Sequence, residues 1–258
     1  MAGRRSSLLS QSVNDADPSL GGVALIFLAG SIVMIFFVIL SGVTTTSPLQ
    51  DTYFLRADTA GITGARDTSQ WTYFHICSPG NVDCTRASPA MPFGHAWADD
   101  ADNIPDGLGG SFAGNTTSKY YFYMWRFGWV LYLIGLFFDV LAFFSGFLAC
   151  CGRLGAAISG LVALVALFFY TIAVSLMTAT FVKARDAFLA DGRTATIGRY
   201  AFGFSWGAWA ALFIGTVLFF LGTRHRDGVS TRRFGRSRST RSHRSHDLGS
   251  RRVKDDYS

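Results

Sequence analysis

Charge is what this 258-residue sequence has least of: 16% of its residues are charged, against 50% that are hydrophobic and a mean hydropathy of +0.29. Soluble domains carry about 25% charged residues, so a large water-soluble core does not account for the apolar side chains. Catalytic patterns are missing as well. There is no nucleophile elbow, no phosphate-binding glycine loop and no paired zinc motif, which removes the common hydrolase, nucleotide-binding and zinc-enzyme classes. His75 and His95 stand near Asp99, Asp100, Asp102 and Asp106, but their spacing fits no calcium-loop template, and the stretch reads as a solvated acidic loop. No cofactor, metal or small-molecule substrate is expected. Cysteine is scarce, with four in the chain.

What the sequence has instead is four long apolar runs, at 21–43, 121–150, 154–182 and 200–221. Each reaches the roughly 20 residues that a helix needs to cross about 30 Å of hydrocarbon. The first is too long for the core of a cleaved signal peptide, about 7–15 residues. The chain therefore divides into an N-terminal segment (1–20), four spans, a long first loop (44–120), a tight turn (151–153), a shorter loop (183–199) and a tail (222–258). Lys and Arg in the flanks set the orientation. The tail holds 11 basic residues against four Asp, whereas the first loop holds four against eight. Tail and N-terminus are thus expected in the cytoplasm, and both loops outside.

Topology then separates the cysteines. Cys77 and Cys84 lie in the external loop, where oxidation is permitted, and Cys150 and Cys151 at the cytoplasmic border, where it is not. The first pair is expected as a disulfide; the competing reading is two free thiols. The second pair is a juxtamembrane Cys-Cys, the usual context of reversible palmitoylation, or simply two small residues at a helix end. Asn115-Thr116-Thr117 is a glycosylation sequon on the external side, close to the second span.

The aromatics Trp71, Tyr73 and Phe74 alternate in part with polar residues, as in a strand with one buried face. A small external β-layer follows. A Trp followed by two cysteines, Trp71, Cys77 and Cys84, in the first external loop of a four-span protein resembles the claudin-type pattern. The continuation Pro89-Ala90-Met91-Pro92-Phe93 is similar to the Pro-Ala-x-Pro-Phe segment of the fungal Sur-seven/PalI family. Two departures favour that fungal branch: Ser69-Gln70 precedes Trp71 in place of the Gly-Leu common in claudins, and Cys77 and Cys84 stand closer together. The resemblance implies a non-enzymatic plasma-membrane protein that organises cortical membrane domains of the eisosome type and supports cell-wall organisation and endocytosis. A PalI-like accessory subunit of a pH-response signalling complex is the alternative. A small transporter or channel is the reading from another class.

The spans carry their own patterns. Gly203, Gly207, Ala211 and Gly215 recur every four residues, a ladder of small residues that lets another helix approach closely; Gly155 with Ser159 and Ala156 with Gly160 offer shorter ones. Such ladders serve the internal bundle or a second copy. Arg126 and Asp139 in the second span are 13 residues and about 20 Å apart along a helix, too far to pair. Arg126 is expected to reach the interface beside Trp125 and Trp129. Asp139 lies near mid-bilayer and should face the bundle and find a partner, with Ser31 at a similar depth and Tyr170 about a turn further out. The third span is expected to continue as a helix through 181–192 to a stop at Gly192.

The tail has almost no apolar residues and is expected to be disordered. Arg232, Arg233, Arg236, Arg238, Arg241, Arg244, Arg251, Arg252 and Lys254, interleaved with serines, point to anionic inner-leaflet lipid as partner, not nucleic acid, because the tail is tethered at that surface. Other membrane or cortical proteins, second copies included, complete the expected partners. The fold class expected is an all-α membrane protein, a claudin-like four-transmembrane-helix bundle with a small disulfide-clipped extracellular β-layer.

Overall fold

The computed structural model describes residues 17–149 and 153–234. Four helices among them are long and apolar enough to span a membrane: α1 (Asp17–Ile39), α2 (Lys119–Ala149), α3 (Arg153–Ala190) and α4 (Arg199–Phe234). Helices satisfy every backbone group internally, as hydrocarbon requires. The chain is an all-α membrane bundle bearing a small β-layer at its loop end, with a disulfide between Cys77 and Cys84.

Helix α3 runs past its apolar stretch to Ala190. It ends where Gly192, the expected stop, takes φ +75° and the amides of Gly192 and Arg193 donate to Leu189 O and Phe188 O, a left-handed cap that few other residues adopt without strain. Helix α4 differs from expectation, continuing past residue 221 to Phe234. The physical reason is cooperativity: once the span has formed, each further residue adds one hydrogen bond without a new nucleus, and no proline interrupts 222–234.

Helix α2 packs chiefly on α3, and α1 on α4. Close approach of α2 and α3 uses a spacing of seven. A Cβ on Gly128 would sit 3.2 Å from Met177 Sδ, and one on Gly135 would sit 3.0 Å from Tyr170 Cβ; Ala142, the next in the series, is fully buried. Small residues at that period seat the large side chains of the partner helix, the coiled-coil arrangement transferred to a membrane.

The sheet has order β3-β2-β1-β4, from β1 (Leu55–Asp58), β2 (Thr68–Trp71), β3 (Ile76–Cys77) and β4 (Ala195–Ile197). Neighbours are antiparallel, with Leu55 opposite Trp71 on one side and Ile197 on the other. Leu55 and Ala57 are buried while Arg56 and Asp58 are half-buried, the alternation of a strand with one face on the core. The second loop thus supplies an edge strand to a sheet otherwise built by the first.

Candidate functional site: an aromatic seam between loop layer and bundle

Trp71 closes β2 and is buried. Its Nε1 donates to Phe93 O at 3.0 Å, and its ring stacks on Phe93 with centroids 4.9 Å apart. Trp97 meets it edge-on and Phe188, on the raised end of α3, approaches to 5.9 Å. The motif Trp and the Pro-Ala-x-Pro-Phe segment are therefore one packing unit. Pro89 and Ala90 make the turn into it, Ala90 at φ +46°. Pro92 precedes the short 3-10 helix Phe93–Ala96 that presents Phe93 and buries it.

Phe54 continues the seam into the membrane. It stacks on Phe181 of α3 at 4.9 Å and meets Trp125 of α2 and Phe202 of α4 edge-on. Tyr73 makes a reciprocal pair with α2: its hydroxyl donates to Trp129 O at 2.9 Å, and Trp129 Nε1 donates to Tyr73 O at 3.2 Å. The Tyr73 amide donates to Ser41 Oγ, just beyond α1. Burial, with the neighbouring Tyr132 as a second cause, pushes the Tyr73 hydroxyl well above its ordinary range, so it stays a donor at every physiological pH. Trp125 and Trp129 are thus buried and turned inward, contrary to the interfacial placement expected beside Arg126. Arg126 points out instead, one residue on and about 100° round the helix, with its guanidinium 4.1 Å from the Phe122 ring centroid.

Behind the disulfide lies a polar hub that sequence reasoning missed. Asn81, between the bonded cysteines, sits at φ +58° and donates through Nδ2 to Thr44 O at 2.9 Å and Leu49 O at 3.0 Å. Its Oδ1 accepts from Gln70 Nε2 at 2.9 Å. Gln70 Oε1 in turn accepts from Arg56 Nε and Nη2, and the other residue of the Ser69-Gln70 departure packs Ser69 Oγ 2.9 Å from Thr59 Oγ1. Both are fully buried. The polar pair before Trp71 is thus the centre of a network that fixes the disulfide loop to the chain leaving α1. Asn81→Ala removes all three bonds, leaves Thr44 O without its donor while Leu49 O keeps the Thr52 amide and Gln70 Nε2 keeps Gln50 O, and puts a residue less tolerant of the left-handed region at φ +58°, an expected loss of about 2–3 kcal/mol. Asn81→Asp keeps the acceptor and tolerates the backbone, so its thermal midpoint in detergent should fall between wild type and alanine; equal midpoints for all three proteins would show the hub to be idle.

The remaining expected positions fall as follows. Asp139 is fully buried and faces the bundle with Ser31 beside it on α1, close enough for the hydroxyl to act on the carboxyl but not in a hydrogen bond of full geometry. On α4 a Cβ at Gly215 would lie 2.3 Å from Leu28 Cδ1 and one at Gly207 3.1 Å from Met34 Sδ, both on α1, while Gly203 has nothing within 4 Å. Ala211 is buried. Asn115 is exposed and donates to Asp100 Oδ1 at 2.8 Å, while Thr117 is buried and its Oγ1 accepts the Gly94 amide. No group of three or more potential metal ligands occurs among the described residues. Arg232 and Arg233 fall in the last turn of α4; Cys150, Cys151, Arg236, Arg238, Arg241, Arg244, Arg251, Arg252 and Lys254 lie outside the described residues.

Comparison with known proteins places this architecture. A family model described as SUR7/PalI family matches residues 20–218. A Candida albicans protein named Protein SUR7 is 34% identical over 200 residues, which cover 77% of this chain and 72% of that one. The SUR7 family protein FMP45 of Saccharomyces cerevisiae is 36% identical over 188 residues, 70% of this chain and 59% of its own length. A further S. cerevisiae protein, named as an uncharacterized plasma membrane protein, is 30% identical over 203 residues, 76% of this chain and 65% of its own. The matched residues run from the first span to the fourth and take in the whole aromatic seam, so the chain belongs to the SUR7/PalI family.

Proposed function

We propose that this chain is a non-enzymatic organiser of cortical plasma-membrane domains of the eisosome type, supporting cell-wall organisation and endocytosis, with both termini in the cytoplasm. The observation that carries this reading is the seam from Trp71 through Phe93 to Phe188. It locks the loop layer onto α3, so that a contact made outside is held rigidly to the bundle. The plasma-membrane name of one relative supports the location, and the excess of Lys and Arg in the tail supports the orientation. Gly203, open at the end of the α4 ladder, leaves room for lateral contact with a second copy or another membrane protein. A fluorescently tagged chain should form static cortical patches. Uniform or endosomal signal would favour the accessory subunit of a signalling complex, and proton or solute flux into vesicles abolished by Asp139→Asn would favour transport.

The tail supplies a separate prediction. With 11 basic residues and four Asp after residue 221, its net +7 meets an anionic leaflet at about 1 kcal/mol per basic residue engaged. Phosphate adds about −1.5 to −2 charge per site, so three or four phosphoserines nearly cancel it. A peptide covering residues 232–254 should bind anionic vesicles in a salt-sensitive way and lose that binding when four of its serines are aspartate. Equal binding to neutral and anionic vesicles would leave the arginines only the task of fixing topology.

A further inference from the structure

Among the described residues, serine and threonine hydroxyls buried within the helices have an evident partner in all cases but one. Ser159, Thr180 and Thr216 each donate back into their own helix, to Gly155 O at 2.8 Å, Leu176 O at 2.7 Å and Leu212 O at 2.7 Å. Ser205 belongs to a closed tyrosine network, with Tyr132 Oη 3.2 Å from its Oγ, and with the single Tyr170 hydroxyl proton shared between Tyr132 Oη at 3.0 Å and Ser205 O at 3.2 Å. Ser31 takes neither course. Its Oγ is fully buried on α1 and closes no hydrogen bond of full geometry, and the same holds for both carboxyl oxygens of Asp139, which stands beside it on α2 within range of a weak contact.

Three unpartnered oxygens at one place in an apolar bundle call for donors and acceptors that the chain does not supply. The hydroxyls of Tyr132 and Tyr170 already have partners in each other and in Ser205. A direct bond from Ser31 to Asp139 would serve the hydroxyl and one carboxyl oxygen and leave the other stranded, and a buried unsatisfied polar atom is among the costlier defects of a fold. One water molecule has two protons and two lone pairs. It can accept the acid proton of a neutral Asp139, donate to the other carboxyl oxygen and donate to Ser31 Oγ, which satisfies all three oxygens with no buried charge, and buried waters are found where several orphaned polar groups converge. We propose that Ser31 and Asp139 form a binding site for a single buried water molecule that joins α1 to α2 within the membrane.

The site is a junction, since α1 otherwise packs mainly on α4. Its test is isotope-edited infrared spectroscopy on the full chain in hydrated lipid films prepared with ordinary and oxygen-18 water. Wild type should show an O–H stretching band that shifts with oxygen-18, and this band should disappear in both Ser31→Ala and Asp139→Leu. Ser31→Ala removes a single oxygen and is expected to keep the helical circular dichroism of wild type, so it decides the matter even where Asp139→Leu fails to fold. Absence of the band from wild type overturns the proposal and leaves a direct contact between the two side chains, and its survival in Ser31→Ala overturns it by placing the water at a site that does not include Ser31.

Discussion

Replacing Trp71 by alanine is expected to unfold the loop layer at about 3–5 kcal/mol less than wild type, the range for removing a large aromatic from a packed core. Three losses combine at that residue. The stack on Phe93 and the edge contact with Trp97 disappear, the hold on Phe188 of α3 goes with them, and Phe93 O loses the indole donor. Trp71→Phe keeps most of the stacking and forfeits the hydrogen bond, so about 1–3 kcal/mol is expected of it. The contacts between α2 and α3 at Gly128 and Gly135 do not involve Trp71. Denaturation in detergent, followed by near-ultraviolet circular dichroism for the aromatic layer and far-ultraviolet for the helices, should therefore show the first transition moving down while the second stays. A single transition that moves as a whole would mean that layer and bundle fold as one unit, and no movement at all would remove the seam from any structural role.

The bundle is legible in the sequence because hydrocarbon imposes a length and a composition that no soluble helix needs. The motif residues are legible for another reason: Trp71 and Phe93 are large apolar side chains in a polar loop, and they are found stacked together. What stays hidden depends on partners distant in sequence. Strands β1 and β4 have four and three residues, too short for alternation to stand out, and they pair across more than half of the chain, Leu55 with Ile197. Asn81 reads as an ordinary turn residue; its weight comes from carbonyls at Thr44 and Leu49 that only the fold brings near. Trp125 and Trp129 read as an interfacial belt because they lie near a span end, but helical phase puts them on the face of Tyr121 and Tyr132, and a spacing of four between small residues conceals the seven-residue series Gly128, Gly135 and Ala142 that seats α3.

Gly198→Ala is expected to detach the second loop from the sheet. Gly198 follows β4 and donates its amide to Phe54 O at 3.1 Å, and its own carbonyl accepts the Phe202 amide at the start of α4. A Cβ built on it would lie 1.6 Å from Tyr53 O and 2.6 Å from Tyr53 C. Both atoms are backbone, so no side chain can swing away. Relief requires β1 and β4 to part, which breaks the register of Leu55 with Ile197 and Arg56 with Thr196 and the bond from the Asp58 amide to Thr194 O. Overpacking costs about 1–3 kcal/mol where the surroundings adjust; with a fixed carbonyl in the way, the upper end or beyond is expected. Arg193 reports the outcome. In the intact loop it is held by Asp191 Oδ2 and Ala60 O, each at 2.7 Å, and trypsin should cleave there slowly in wild type and at least tenfold faster in the variant. The control is the same change five residues on, because Gly203 lies inside α4 with nothing within 4 Å of its added Cβ, and alanine there should raise stability by about 0.5–1 kcal/mol through helix propensity alone. The same methyl group should therefore act with opposite signs at the two positions, and equal trypsin sensitivity of the two variants would show that the Tyr53 carbonyl does not confine Gly198.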